Sequence, residues 1–177
     1  MTTAHFRSEQ DSITRLDIFT GMPFDEFRAA LEKAAPPFDA APVARIIADG
    51  GDWDDIRAAM RINAPNELIV YAMIDGTSLM AVAGHHTKAI EYLLGNHIIA
   101  ESMFRYDPHA LLYAPLRILL YADAEDQAVF SLQQPSTVFG SLGIPEVTAV
   151  GEGLDRKVDA LLRVIGVDPG DAFSAHQ

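Results

Sequence analysis

The chain has 177 residues, of which 49% are hydrophobic and 21% charged, a composition typical of a single globular domain. Its formal net charge of −12 at pH 7 disfavours nucleic acid and anionic membranes as partners, because like charges repel. The chain has no cysteine, which excludes disulfides, thiolate metal sites and cysteine nucleophiles. It has neither an apolar run long enough for a membrane span nor the apolar core of a signal peptide, so we expect a soluble, cytoplasmic protein.

The first part of the chain predicts a tail, an edge strand and a helix. Residues 1–12 are polar and aperiodic, and we expect them to be disordered. Loose alternation over Ile13–Thr20 predicts a strand near a sheet edge. Apolar residues at helical spacing predict a helix over Phe24–Ala34, which the proline pair Pro36-Pro37 ends.

The next stretch predicts a second helix and a hairpin. Phe38–Gly51 is rich in alanine and proline and weakly patterned, so no regular element is assigned to it. Asp52 is a suitable N-cap for a helix that ends at Asn63. Both faces of Glu67–Ile74 are apolar, which predicts a strand covered on both sides. The Asp-Gly pair after it predicts a hairpin with Thr77–Ala83 as the return strand.

The middle of the chain predicts a strand, a short helix and the longest apolar strand. By periodicity Ala89–Leu94 suits a strand or a helix, and the Gly95-Asn96 turn after it favours a strand. Asn96 is a suitable N-cap for the helix that follows. Leu112–Ala122 has one uninterrupted apolar face, and Pro115 indicates an edge or a bulge near its start, because proline lacks a backbone donor.

The last part predicts a partner strand and a long C-terminal helix. Apolar alternation predicts the strand over 128–132, and a turn-rich stretch follows at 135–143. Pro145–Ile165 has an apolar stripe at helical spacing and predicts an amphipathic helix that packs on the core. We expect 13–166 to form one α+β domain, because paired strands are separated by helices, and 167–177 to be a loose tail.

Several short motifs in the second half of the chain carry a family resemblance: YLLGN at 92–96, Met103, YAPLRILLYAD at 113–123 and QPS at 134–136. Over roughly residues 66–165 the chain resembles the bacterial family called domain of unknown function 302. The form best known for that family reads Gly-Asn-Pro, whereas this chain has His97 after Asn96. The resemblance implies a compact α+β fold with a strongly curved antiparallel sheet, often a homodimer, and it implies no reaction.

Four of the six histidines lie close together in the sequence: His85, His86, His97 and His109. Their spacing gives no helical i,i+4 pair and no companion cysteine, so it predicts no preformed zinc site. Three interpretations stay open. The histidines are separate polar loop or cap residues, or they form a haem-like site with Met103 or Tyr106 as a further iron ligand, or His97 alone has a catalytic or small-ligand role.

Arg117, inside an otherwise apolar strand, has two interpretations. Either it binds the anionic end of a ligand through its guanidinium, or its role is structural, in an ion pair with Glu101 or Asp107 or on a solvated strand face. The methionine and aromatic side chains of the middle region likewise either line an apolar pocket or fill the core. No G-x-S-x-G motif, Gly-rich phosphate loop or dinucleotide fingerprint is present in the sequence.

We expect a ligand site where the Gly95–His97 turn approaches the start of the 112–122 strand. The turn opens a helix and offers unpaired backbone donors, and His97 exchanges donor and acceptor roles near neutral pH. Tyr113 and Arg117 are four residues apart, an even number, so the alternation of a strand would place them on one face. The expected ligand has an anionic or polar end and an apolar body. The predicted ligand-binding residues are Asn96, His97, Met103, Tyr113 and Arg117, and no metal ligand is predicted.

The leading functional prediction is a non-catalytic homodimer that binds a small ligand or a protein partner. The strand at 112–122 has a second, partly apolar face that a second copy of the chain would cover. The first alternative is an enzyme for a small substrate, aromatic substrates included, with His97 as acid or base and Arg117 as anchor. The second alternative is a haem-binding protein. No cofactor is assigned, and His97 is the sole candidate for catalysis.

Overall fold

One sheet of five antiparallel strands forms the centre of the protein, which a computed structural model describes over residues 1–174. The strands are β1 (Arg15–Pro23), β2 (Ile69–Asp75), β3 (Ala89–Gly95), β4 (Leu116–Ala122) and β5 (Gln127–Gln133). Across the sheet their order is β1-β5-β4-β3-β2, so β4 lies at the centre while β1 and β2 are the edges. The predicted α+β class with an antiparallel sheet is confirmed.

Helices lie between and after the strands. They are α1 (Phe24–Ala34), α2 (Ala40–Ala48), α3 (Trp53–Asn63), α4 (Thr77–Val82), α5 (His97–Phe104), α6 (Pro135–Gly140) and α7 (Pro145–Ile165), with a short 3₁₀ helix at Pro108–Leu112. Within residues 1–174, none of these helices has both the length and the apolarity that a bilayer crossing requires.

The main core lies between one face of the sheet and the helices α1 and α7. Alternate residues of β4 from Leu116 onward are buried on this face, while Arg117 and Leu119 point to the other side and are exposed. The apolar stripes of α1 and α7 belong to the same core, and Leu161 and Leu162 of α7 are buried in it. The C-terminal amphipathic helix is therefore part of the core, as predicted.

The hairpin predicted for Glu67–Ile74 and Thr77–Ala83 is wrong. Thr77–Ala83 is not a return strand, because Thr77–Val82 forms the helix α4 and β2 pairs with β3 instead. The Asp-Gly pair starts a helical turn: the Asp75 side chain accepts a hydrogen bond from the Thr77 backbone N–H (2.9 Å). A dipeptide signal for a tight turn does not fix which later segment becomes the partner strand.

The strand predicted over Leu112–Ala122 begins later than predicted. Residues Pro108–Leu112 form the 3₁₀ helix, which Asp107 caps by accepting a hydrogen bond from the His109 backbone N–H (2.8 Å). The strand starts at Leu116, immediately after Pro115, because the ladder needs backbone donors that proline lacks. Pro115 does not mark an edge, since β4 is the central strand, and it does not mark a bulge, since the register of β4 with β3 and β5 has no shift.

Two further predictions in the first half are wrong. Phe38–Gly51 contains the helix α2, whose N-cap Asp39 accepts a hydrogen bond from the Ala41 backbone N–H (3.0 Å). The strand β2 is not covered on both sides: it is an edge strand, and Met73 and Ile74 in its second half are 46% and 57% exposed. Local apolarity did not reveal that β2 ends the sheet.

The two ends of the chain differ in their packing. Residues 1–14 form no helix or strand and are almost all exposed. After α7, Val167 is buried, and Ala172 and Phe173 pack against the main core. The predicted loose tail at 167–177 lies partly outside the described residues, which end at 174.

Candidate functional site

A cavity of about 220 Å³ lies where the end of β3, the start of α5 and the segment before β4 meet. Its wall is almost entirely apolar, and its lining residues are Tyr71, Leu94, Gly95, Asn96, His97, Ile99, Ala100, Met103, Leu111, Ala114, Pro115, Leu116, Phe139 and Leu154. None of these residues is a lysine, arginine, aspartate or glutamate. We call this space the inner cavity.

Asn96 fixes the turn that carries His97 into the wall of the inner cavity. Its side-chain oxygen accepts a hydrogen bond from the Ile98 backbone N–H (2.9 Å), which is the N-cap interaction expected from the sequence. Its side-chain amide donates to the Glu67 backbone oxygen (2.8 Å). Because both ends of the amide already have protein partners, Asn96 positions His97 as the first residue of α5.

His97 has one satisfied and one unsatisfied ring nitrogen. Its Nδ1 lies 2.9 Å from the hydroxyl oxygen of Tyr71, on β2, at hydrogen-bond distance. Its Nε2 is buried and has no hydrogen-bond partner among residues 1–174. A buried polar atom without a partner costs about 1–3 kcal/mol, and such an atom in a native protein calls for an explanation such as a bound water or ligand.

Aromatic rings surround the imidazole. The ring centroids of Phe38, Trp53 and Tyr71 lie 5.5, 6.5 and 6.4 Å from that of His97. Burial lowers the pKa of His97 and raises the pKa of Tyr71 to about 12. At neutral pH the site therefore holds a neutral imidazole hydrogen-bonded to a protonated phenol.

This arrangement provides one hydrogen-bonding group, without charge, in an apolar space. The Tyr71–His97 pair has two forms: either the phenol donates to Nδ1 and Nε2 bears the proton, or Nδ1 donates to the phenol and Nε2 accepts. Nε2 can therefore bind a hydroxyl in either form. No charged side chain lines the inner cavity to bind an anionic group.

Three of the five predicted site residues lie together, and two do not. Asn96, His97 and Met103 line the inner cavity. Tyr113 packs its ring against the ring of Phe139, with centroids 6.3 Å apart. Arg117 is exposed on the opposite face of the sheet, where its Nε is 3.0 Å from a Glu91 carboxylate oxygen. Tyr113 precedes β4, so the alternation within the strand does not apply to it and does not place it on one face with Arg117.

The other three histidines of the 85–109 stretch do not join His97. His85 and His86 lie in the exposed connection after α4. The Nδ1 of His109 pairs with the Asp107 carboxylate at 2.7 Å on the surface. Among residues 1–174 no group of three or more histidine, cysteine, aspartate or glutamate side chains is placed to hold a metal ion.

Sequence reasoning missed the aromatic partners of His97. Tyr71 belongs to an apolar strand, and nothing in its spacing distinguishes it from a core residue. Trp53 is the first residue of α3 and is 37% exposed, and its position in that helix does not indicate a contact with a histidine of α5. Phe38 lies in a segment without a clear pattern. The one usable signal was local: Asn96 caps a helix whose first residue is a histidine.

Comparisons with known proteins agree with this fold. The model of the family described as domain of unknown function DUF302 matches residues 53–165. The crystal structure of an uncharacterized conserved DUF302 protein from Bacillus stearothermophilus is similar over 86% of this chain and 96% of that chain, with a TM-score of 0.58 and 12% sequence identity. No curated protein has a matching sequence. The family model matches well over half of the residues of this chain, and the chain therefore belongs to the DUF302 family.

Proposed function

We propose that this chain is a cytoplasmic, non-catalytic protein that binds a small, neutral and largely apolar molecule in the inner cavity. One observation carries the proposal: the buried Nε2 of His97 lacks a partner in the wall of an apolar cavity. A ligand with one polar group would satisfy this atom and fill the apolar space, as in most small-molecule sites.

The wall of the inner cavity limits the class of ligand. It contains no cation to bind a carboxylate or phosphate, and Arg117 is on the other face of the sheet. The polar group is therefore neutral, such as a hydroxyl or a carbonyl. The volume of about 220 Å³ is below the range of about 300–1,000 Å³ typical of drug-sized ligands, which favours a small molecule over haem.

Binding of n-hexanol tests this proposal. Trp53 is the only tryptophan, and its ring lies 6.5 Å from the His97 ring, so its fluorescence reports on the site. We expect His97→Leu to weaken n-hexanol binding about three- to tenfold, because one hydrogen bond is lost while the apolar contacts remain.

His109→Leu is the matched control, because it removes a histidine that lies on the surface away from the inner cavity. We expect it to bind n-hexanol like the wild type. Equal affinities for the wild type and His97→Leu would contradict the proposal, as would the absence of any binding to the wild type.

A second candidate function is favoured by the hydrogen bond between Tyr71 and His97. A neutral imidazole linked to a phenol can act as an acid or base on a small substrate. Incubating a mixture of small neutral metabolites with the wild type and with His97→Gln, followed by mass spectrometry, tests this function. A metabolite consumed by the wild type alone would favour an enzyme over a binding protein.

The homodimer is a separate proposal, which the outer face of the sheet supports. This face, opposite the core, exposes Phe19, Ile74 and Leu119 by 71%, 57% and 43%. The register places Ile74 and Leu119 on either side of Glu91, so they share one face. A second copy related by a two-fold axis would cover these side chains.

Sedimentation of two charged variants tests the homodimer. Leu119→Glu should convert a dimer to a monomer, whereas Leu79→Glu, an equal change at an exposed leucine of α4, should leave the dimer intact. A monomeric wild type at micromolar concentration would refute the homodimer. Dissociation by Leu79→Glu alone would place the interface on α4 and not on the outer face.

A further inference from the structure

A second cavity, which His97 also lines, lies between α2 and α3. Its volume is about 380 Å³, and its lining residues are Val43, Ile47, Gly51, Asp52, Trp53, Ile56 and His97. We call this space the outer cleft. His97 is part of the wall of both the inner cavity and the outer cleft, so one residue contacts both spaces.

Helix α2 has an unusual composition for its position. Eight of its nine residues are apolar, with Arg45 as the exception, yet none of them is buried. Ile47 is 69% exposed, and its side chain lines the outer cleft. If this side of α2 contacted only water, polar residues at these positions would not make the helix less stable. Its apolar side therefore suits an apolar occupant of the outer cleft.

The link between α2 and α3 keeps the outer cleft in shape. The Gly51 backbone N–H donates to the Ile46 carbonyl oxygen (2.8 Å). A Cβ atom at Gly51 would come within 2.7 Å of the Ile46 side chain, so only glycine permits this approach. At the other end of α2, the Asp39 backbone N–H donates to the Asn63 side-chain oxygen (2.9 Å). The two helices are thus joined at both ends and leave an apolar space between them.

We infer that the outer cleft is a second subsite for the same ligand, and that this ligand is a neutral molecule with two apolar arms flanking a central hydroxyl or carbonyl. The inference rests on the proposed function of the inner cavity. The central polar group meets His97, whose Nε2 has no partner. One arm fills the inner cavity, and the other lies against Ile47 and Trp53 in the outer cleft.

Pairs of isomeric alcohols test this inference, because the two members of a pair have the same number of carbon atoms and differ only in the position of the hydroxyl. Each symmetrical secondary alcohol, with its hydroxyl on the central carbon, is compared with the primary alcohol of the same carbon number by Trp53 fluorescence and calorimetry. A site with two apolar sides binds the secondary isomer more tightly at long chain lengths, because both arms are buried. Each further methylene that is buried should raise the binding constant about fourfold.

Two variants of α2 carry the same charge change at different faces. Ile47→Glu places a carboxylate in the outer cleft and should abolish the preference for the secondary isomer. Ala44→Glu changes an exposed residue of the same helix that lines neither space, and should retain the preference. Both positions are exposed, so we expect both variants to fold.

Three outcomes are distinguishable. A preference for the secondary isomers in the wild type and Ala44→Glu, but not in Ile47→Glu, supports the two-armed ligand. A preference for the primary isomers in all three proteins overturns the outer subsite and leaves the inner cavity as a binding site. The absence of any alcohol binding overturns both this inference and the proposed function.

Discussion

The sheet with α1 and α7 differs sharply from the pair α2–α3, although both are rich in apolar residues. In the first region the apolar side chains are enclosed: Phe27, Ile118 and Leu162 are each 0% exposed. In the second region α2 has no buried residue and α3 has two, Ile56 and Met60. This difference shows that apolar side chains are buried only where a second layer of secondary structure packs against them, and that apolar composition alone does not bury them.

The candidate site lies where these two regions meet. Tyr71 and His97 come from the strand β2 and the start of α5, while Trp53 comes from α3. The strand β2 and the start of α5 hold the hydrogen-bonded pair, and the sparsely packed helices α2 and α3 leave an apolar space next to it. Regions with few buried contacts open at low free energy, which suits ligand entry.

The largest expected effect lies in the packed region. Leu161→Ala should lower the free energy of unfolding by about 2–5 kcal/mol, because it removes a buried side chain and leaves a cavity. Ile47→Ala in α2 should change it by less than about 0.5 kcal/mol, because Ile47 is exposed. Urea unfolding of both variants measures the contrast, and equal losses would remove the distinction between the two regions.

A buried carboxylate that links α7 to α6 should have a smaller effect. Asp155 is 4% exposed and accepts hydrogen bonds from the Gln134 side-chain amide (3.1 Å) and the Ser136 backbone N–H (3.0 Å). Asp155→Ala should cost about 1–3 kcal/mol, because both donors lose their partner. Asp155→Asn keeps one acceptor and should cost less in the same urea titration. A harmless Asp155→Ala would show that water replaces the carboxylate there.

Loss of a helix cap should loosen the sparsely packed region alone. Asp52 accepts hydrogen bonds from the backbone N–H groups of Asp54 (2.8 Å) and Asp55 (3.1 Å) at the start of α3. Asp52→Ala should lower the local stability of α3 by about 0.5–2 kcal/mol. Native-state hydrogen exchange should then speed up in α3 and stay unchanged in α7. Faster exchange in both helices would show that they unfold as one unit.

The smallest expected effect is a pH dependence of the free energy of unfolding, which originates at His97, where the two regions meet. Burial lowers the pKa of His97 in the folded protein, so the unfolded chain binds its proton more readily. Above the unfolded pKa of about 6.5, the titration of His97 therefore does not reduce the free energy of unfolding. Below that pH the free energy of unfolding decreases as the pH falls to and through the lowered folded pKa.

Urea midpoints between about pH 5 and pH 8 measure this dependence in the wild type and in His97→Gln. The variant should lose less stability on acidification, because glutamine does not titrate. His109→Gln, at a surface histidine beside Asp107, should retain the loss that is due to His97. An unchanged profile for His97→Gln would show that the imidazole is hydrated in the folded state.

Much of the fold follows from the sequence. The edge strand β1, the helices α1, α3 and α7 and the apolar face of β4 were all predicted, because in each the local period and the final burial agree. The N-cap role of Asn96 was also predicted, since a cap needs only its own next residues.

Other features depended on contacts between distant segments. The partner of β2 is β3 and not Thr77–Ala83, because the pairing of strands is decided by the whole sheet. Arg117 points away from the inner cavity, because β4 begins only after Pro115. The local sequence pattern did not indicate that β2 is an edge strand, and it did not indicate where the pairing of β4 begins.

The sequence by itself determined the α+β class, the amphipathic C-terminal helix and the placement of His97 at the start of a helix, because these depend on local period and capping. Only the tertiary structure decided that Tyr71, 26 residues away, binds the His97 ring. Only it made His97 part of the wall of two cavities and left the Nε2 of its ring without a partner among residues 1–174. The physical reason is that a site is made by side chains from separate elements, and their approach is fixed by packing.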